Sequence, residues 1–547
     1  MNFNKFLNSQ TKTVTFAAVL LGLSAGISAI LGLIRDRLLA GRFGAGIELD
    51  IYFAAFRIPD FVYGILIVGG ITAAFLPVFS EYFQKNSKEG WELTNNVLNC
   101  FLILLIFICL ILAIFTPFII NFVAPGFGPE QKVLTIALTR IMFFSPILFG
   151  ISSIFSGILQ YFNRFLVYSL APILYNLGII SGILFFVPIF GLFGLAYGVI
   201  LGAFLHLFIQ IFSVKGSGYC YRPFFNFKYP GLRKIFRLMI PRTIGQASYH
   251  LNLIVITAIA STLASGSIAI FNFSNNLQWF PVGIIGVSFA IAAFPTLSRA
   301  WIRRQKEKFL ETFSSVFRQI LFLIIPVSIL MFILRAQLVR LILGTGQFGW
   351  LETRLTAASL GLFSFALFAS SLIPLTARAF FSFQDTKTPV IIAIFSMVLN
   401  IILCFLFVWL LKFPNLFQNF MVNFFKLQGI KNISVIGLPL ALSISGIFQV
   451  SLLLTFLYRK IGDFKQKEIY HSLKKILLSG ILMIPFVYLT LKIVAIFVNM
   501  QTFFGVFCQT IFAGLVGVFI YTVSTKLLKS PELKTIKSSI LRQFTKT

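Results

Sequence analysis

Arginine is a costly residue in a lipid-solvated helix, and this sequence places several in or beside long apolar stretches. The densest group runs Arg35-Asp36-Arg37, Arg42, Glu48, Asp50, Arg57 and Asp60, across the first two such stretches. A charged side chain at the bilayer centre costs about 2.5–3.5 kcal/mol on insertion scales, so it is expected to face a cavity or a partner. Asp50 and Arg57 are seven apart and share one helical face, which allows Asp50 to position or neutralise a guanidinium. Pro59 is expected to bend the helix just beyond Arg57. Two readings stand for the group: a basic cavity wall, or ion pairs in a surface hairpin between the first two helices. Arg57, inside a span, suits the cavity; Arg37 and Arg42 suit the hairpin. Arg242 follows Pro241 within the seventh stretch. The eighth carries Asn272, Ser274, Asn275, Asn276 and Gln278, a face that reads as interhelical glue or as a sugar-recognising wall. Arg140 and Arg318 sit where they can snorkel from helix ends, and Arg378, close to Lys387, reads as a sided anchor.

A basic cavity in lipid points to an anionic substrate, and the guanidinium fork matches two phosphate oxygens at once. An enzyme acting on lipid phosphates needs acids to hold a metal or to move protons. The loops contain no D-x-D pair, acidic cluster or His–acid motif. Cys100, Cys109, Cys220, Cys404 and Cys508 are scattered, as are His206, His250 and His471, so no metal or cofactor is expected. Gly44-Ala45-Gly46 has the G-x-G form, but no strand precedes it. The residues favour transport over catalysis.

The elements that must position these side chains follow from composition. Hydrophobic residues make up 58% of the 547, charged residues 11%, and mean hydropathy is +0.95. Soluble chains are about 25% charged, so a soluble enzyme, a disordered chain and a disulfide scaffold are excluded. Fourteen stretches are long enough to span, at 14–34, 51–80, 97–120, 134–160, 167–187, 192–213, 235–263, 267–296, 313–334, 355–381, 388–411, 433–457, 474–498 and 503–525. The N-terminal stretch follows Lys5 and Lys12 like a signal peptide, but its length makes it a retained first helix. With the N-terminus inside, 29 of the 45 Lys and Arg fall in inner segments, ten in outer connections and six within spans. That asymmetry predicts both termini in the cytoplasm, with basic loops beside anionic lipids.

The chain also repeats. Ala73-Ala74-Phe75-Leu76-Pro77 returns as Ala292-Ala293-Phe294-Pro295, Asn163 is echoed by Asp385, and Asn176 by Asn400. Six helices separate the copies, so the two point the same way, as in parallel-repeat transporters. The expected organisation is an N-terminal lobe over 1–214, a basic cytoplasmic linker over 215–234, a C-terminal lobe over 235–460, and a further helix pair with a basic tail over 461–547.

Several segments resemble the MurJ (MviN) lipid II flippases. They are Leu31-Gly32-Leu33-Ile34-Arg35-Asp36, Phe43-Gly44-Ala45-Gly46, Asp50, and Ala54-Ala55-Phe56-Arg57-Ile58-Pro59. Further matches are Ala124-Pro125-Gly126-Phe127, Asn163-Arg164-Phe165, Leu263-Ala264-Ser265-Gly266-Ser267 and Gln384-Asp385-Thr386-Lys387-Thr388-Pro389. The resemblance implies an all-α membrane protein of the MOP exporter (MATE-like) class, with two six-helix lobes around a cationic cavity. It also implies two C-terminal helices forming a groove for a lipid tail. The implied partner is lipid II, an undecaprenyl-pyrophosphate-linked disaccharide-peptide, in the bacterial inner membrane; no nucleic acid is implied and a monomer is expected. Arg35, Asp50 and Arg57 fall on functional positions of the family. Departures are Ala29, Tyr63-Gly64, Val68-Gly69 and Asn276, the last standing where the family has an essential Arg, with Arg242 as a compensating positive charge. The acids of the family's sodium site are missing from 235–263 and 388–411. The alternatives are an exporter of another polyprenyl-linked oligosaccharide and a non-transporting scaffold.

Overall fold

The computed structural model describes residues 14–535, so the N-terminal lysines and the end of the basic tail lie outside the described residues. No strand occurs among the described residues. Besides two short helices, Arg335–Ile342 and Leu416–Phe425, the long helices are α1 (Val14–Phe43), α2 (Ile47–Lys85), α3 (Ser87–Val123), α4 (Pro129–Tyr161), α5 (Phe165–Phe190), α6 (Phe193–Lys215) and α7 (Pro230–Ser261). They continue as α8 (Ser267–Ile302), α9 (Lys306–Ile333), α10 (Trp350–Ser364 and Leu367–Ser382, bent by 47°), α11 (Lys387–Lys412), α12 (Ser434–Ile461), α13 (Gln466–Phe497) and α14 (Phe503–Leu527). Each of the fourteen apolar stretches falls on one of these helices. Among the described residues, eleven are long and apolar enough to cross a membrane by length and composition, or twelve with the bent α10.

The chain divides into two compact units, Met1–Ala269 and Ile270–Thr547. In the first, α1 is tied to α5 by polar bonds of the kind that glue membrane helices: Ser24 Oγ donates to Ser169 Oγ at 3.1 Å, and Asn176 Nδ2 to the Ser28 carbonyl at 3.2 Å. The helices α5 and α6 meet backbone to backbone. A β-carbon on Gly178 would fall 2.3 Å from the Gly202 Cα, and one on Gly182 would fall 2.5 Å from the Gly198 Cα. The basic connection before α7 is pinned rather than loose. Asn95, Asn96 and Asn99 of α3 donate to the carbonyls of Cys220, Asn226 and Phe224, at 3.2, 2.9 and 3.1 Å.

In the second unit the same devices recur. On α11 and α12, Ser396 Oγ donates to the Ser445 carbonyl at 2.8 Å and Ser445 Oγ to Asn400 Oδ1 at 3.4 Å. The pair α13 and α14 is joined by Gln509 Nε2 to the Leu491 carbonyl, and α14 reaches α9 through Tyr521 OH to the Phe322 carbonyl, both at 2.8 Å. Leu477, Ile481, Phe512, Leu515 and Phe519 stay exposed on this pair, a surface whose matching solvent is lipid.

Two local features match between the units. The helix winds as π over Tyr63–Ile71 in α2 and over Val282–Val287 in α8, starting at positions 219 apart. In each case the repeated Ala-Ala-Phe segment follows. Asn163 and Gln384 both adopt left-handed backbone, φ 55° and 62°, at the turn before the next helix. The structural equivalent of Asn163 is therefore Gln384, one residue before the Asp385 suggested by sequence.

Candidate functional site

The charged residues of α1 and α2 separate into three settings in the first unit. Arg35 turns onto its neighbour: Nε and Nη2 donate to Asp36 Oδ1 at 3.1 and 2.9 Å, with the guanidinium partly exposed and the Asp36 carboxylate buried. The phenols of Tyr52 on α2 and Tyr175 on α5 are titratable groups in its field.

Asp50 is 2% exposed and serves a helix terminus. The Gly266 N–H donates to Asp50 Oδ2 at 2.7 Å and the Ala269 N–H to Oδ1 at 2.9 Å, with the Ile268 N–H also directed at the carboxylate. The first N–H groups of a helix lack intrahelical acceptors and carry the positive end of its dipole, so an anion there is well placed. Gly266 is suited to this spot because its φ is +87° and a β-carbon would come within 1.8 Å of the Ala45 carbonyl oxygen. Beside it, the Gly126 N–H donates to Ser261 Oγ at 3.1 Å. Three of the matched loop segments, around Gly44, Gly126 and Gly266, thus meet at one seam. The expected pairing of Asp50 with Arg57 is corrected accordingly. Seven residues place the two about 10 Å apart along the helix, and the oxygens of Asp50 are taken by backbone.

Arg57 belongs to a polar cluster where α2 meets α7. Its Nε donates to Thr257 Oγ1 at 2.7 Å. One turn on, Asp60 Oδ2 lies 3.6 Å from His250 Nδ1, and Asp60 is also the carboxylate in the field of Arg57. The ring of His250 fits because residue 64 is glycine; a β-carbon there would sit 1.8 Å from Nε2. The π winding of α2 begins at this point. In the sequence His250 is one of three dispersed histidines and Thr257 carries no distinguishing signal. The usable signals were an ionisable residue inside a span and Asp60 one turn from Arg57.

Arg242 lies on α7, eight residues or about 12 Å of helix before His250, and its side chain is outside the described residues. Asn276 belongs to the second unit, half-buried on α8 beside the buried Asn272, Asn275 and Gln278; Gln278 Nε2 donates to Asn275 Oδ1 at 3.3 Å. The structure therefore gathers Arg57 with Asp60, His250 and Thr257, leaves Arg35 on Asp36, and assigns Asp50 to a helix end.

Among the arginines expected at helix ends, Arg140 Nε donates to the Ala113 carbonyl at 3.0 Å and Arg378 Nη1 to Pro374 at 3.4 Å. Arg318 is clamped by Glu468 of α13 and by the buried Glu532 after α14, each at 3.2 Å. Just above this clamp, α9, α10, α12 and α13 enclose an apolar cavity of about 800 Å³, lined among others by Leu321, Ile325, Phe365, Leu454, Leu477 and Ile484.

A multi-pass helical fold with this pairing of helices is found in solved transporters. The chain superposes on an inward-facing multidrug resistance MATE family transporter of the MOP superfamily with a TM-score of 0.65 over 82% of this chain and 99% of that one, at 17% identity. It superposes on a structure of lipid II flippase MurJ in an inward closed conformation with a TM-score of 0.75, at 25% identity, over 93% of this chain and 98% of that one. The sequence profile of lipid II flippase MurJ matches residues 39–508. Relatives include a probable lipid II flippase MurJ of Buchnera aphidicola subsp. Schizaphis graminum, 31% identical over 82% of this chain and 91% of the relative. That of Buchnera aphidicola subsp. Acyrthosiphon pisum is 29% identical over 92% and 95%. The chain is a multi-pass membrane transporter, and it belongs to the lipid II flippase MurJ family.

Proposed function

We propose that this protein moves lipid II, a peptidoglycan precursor carried on undecaprenyl pyrophosphate, from the inner to the outer leaflet of the bacterial inner membrane by alternating access. The observation that carries the reading is family membership across residues 39–508. The geometry supplies parts that suit an amphiphile. The apolar cavity beside α13 takes the polyprenyl tail, while Arg35 and Arg57, with Arg242, meet the pyrophosphate. Asp50 contributes by fixing the start of α8, and Asn276 with its polar neighbours faces the sugars. All fourteen helices cross, with both termini cytoplasmic and basic loops against anionic lipid. The protein works as a monomer. Only contacts that differ between inward- and outward-open states can drive the exchange, so the pyrophosphate contacts must change between them.

The test is complementation of a strain depleted of its own lipid II flippase. Growth with lipid II restored to the outer leaflet is expected; correctly inserted protein without rescue would overturn the proposal.

A further inference from the structure

The apolar cavity of the second unit has an arginine at each end, and the two face different surroundings. Phe317 and Phe332 of α9 both line the cavity, fifteen residues or about 22 Å of helix apart. Arg318, beside Phe317, is held by two carboxylates. Arg335 follows Phe332 at the opposite end and makes no ion pair among the described residues. Its guanidinium carbon sits 4.9 Å from the Phe332 ring centre and 5.6 Å from that of Phe425, and Nη1 donates to the Phe332 carbonyl at 2.8 Å. Tyr488, also a lining residue, is a titratable neighbour. Aromatic rings orient the guanidinium by contact with the cation, and they do not neutralise it. The remaining N–H groups are left for an acceptor with negative charge.

We propose that Arg335 is a phosphate-binding subsite for the polyprenyl diphosphate whose tail occupies this cavity. The assignment rests on the lipid II reading above. With the N-terminus inside, Arg335 lies on the outer side, so it holds the headgroup phosphate after crossing while the tail is still seated. At the other end Glu468 and Glu532 repel an anion, which gives the groove a direction.

A benzophenone side chain placed at Phe365, which lines the cavity, reports occupancy of this site. Full-length protein in phosphatidylcholine nanodiscs is exposed to radiolabelled undecaprenyl diphosphate and, separately, to undecaprenol. Diphosphate is expected to cross-link at about tenfold lower concentration, the scale of one charge-assisted contact. Arg335→Gln should remove most of that advantage and leave undecaprenol labelling intact, which also reports a folded site. Arg335→Lys should keep a substantial part of it. Equal diphosphate labelling in wild type and R335Q, or loss of the advantage in R335K as complete as in R335Q, would overturn the assignment. Displacement by phosphatidylglycerol at equal concentration would reassign the site to ordinary lipid and also overturn it. Absence of labelling by either polyprenyl in the wild type would instead strike the tail site, and with it the lipid II reading of the cavity.

Discussion

Nδ1 of His250 lies 3.6 Å from Oδ2 of Asp60, joining α7 to α2 three residues before α2 begins to wind as π at Tyr63. Each side chain is the other's partner across that seam, so their contributions are coupled. In a double-mutant cycle, Asp60→Asn and His250→Gln should each lower the thermal stability of the purified protein. The double variant should lose about 1–2 kcal/mol less than the two losses added, within the range for contacting residues. Simple additivity would mean that the pair does not interact.

Asp50 makes a different prediction from the one its spacing to Arg57 suggests. Removing the carboxylate in Asp50→Ala leaves the buried N–H groups of Gly266 and Ala269 without acceptors, at a cost of about 2–4 kcal/mol for charge-assisted bonds. Asp50→Asn keeps one carbonyl oxygen and should lose roughly half as much. Thermal unfolding in detergent reads both; wild-type stability in D50A would refute the capping role.

Arg57 and Arg35 are the proposed pyrophosphate contacts. Arg57→Ala and Arg35→Ala should each slow lipid II flipping in proteoliposomes by about tenfold or more at normal expression, the scale of one charge-assisted contact. Arg57→Lys should recover part, since ammonium keeps the charge without the fork. If both alanine variants flip at the wild-type rate, the contacts are misassigned.

Cys220 offers a direct test of sidedness. It is the exposed cysteine among the five, in the connection pinned to α3, while Cys100, Cys109 and Cys404 are buried. A membrane-impermeant maleimide should label Cys220 in inverted vesicles and leave it unlabelled in intact spheroplasts. The reverse pattern would invert the proposed topology.

Asp385 gives a pH dependence outside the spans. Burial pushes its carboxyl up, but Lys460 Nζ at 2.6 Å and the Thr388 N–H and hydroxyl outweigh that and hold it below the usual carboxylate range. The unfolded chain then binds this proton at higher pH than the folded one does. The stabilisation is fully present above the ordinary value of about 4 and fades as pH falls through it toward the folded value. The stability difference between wild type and Asp385→Asn should be constant from about pH 6 to 8 and shrink below about pH 4. A difference that grows on acidification would contradict this sign.

The helices were legible because a run of apolar residues needs no tertiary information to be recognised. Their ends were not: α1 continues through Arg35, Arg37 and Arg42 to Phe43, since charged residues at a span's edge are good helix formers. The site was legible only in part. Arg57 stood out as a charge inside a span, yet its neighbours Thr257 and His250 are some two hundred residues away. The same is true of Asp50 and Gly266. A seven-residue spacing suggested a local ion pair, and a distant helix terminus with unmet N–H groups proved the stronger claim on the carboxylate. The partners of Arg318 were hidden for the same reason, since Glu468 and Glu532 lie beyond any local window.

The glycine contacts between α5 and α6 have a mechanical consequence. A joint made of backbone against backbone contains no rotamers that can shift to absorb shear, and in lipid only close packing holds it together. A single methyl at Gly178 or Gly202 would act as a wedge. The pair therefore behaves as a stiff plate within the first unit. Bending strain has to be taken up elsewhere in the unit, among other places in the π-wound turns of α2, which carry the Gly64–His250 contact.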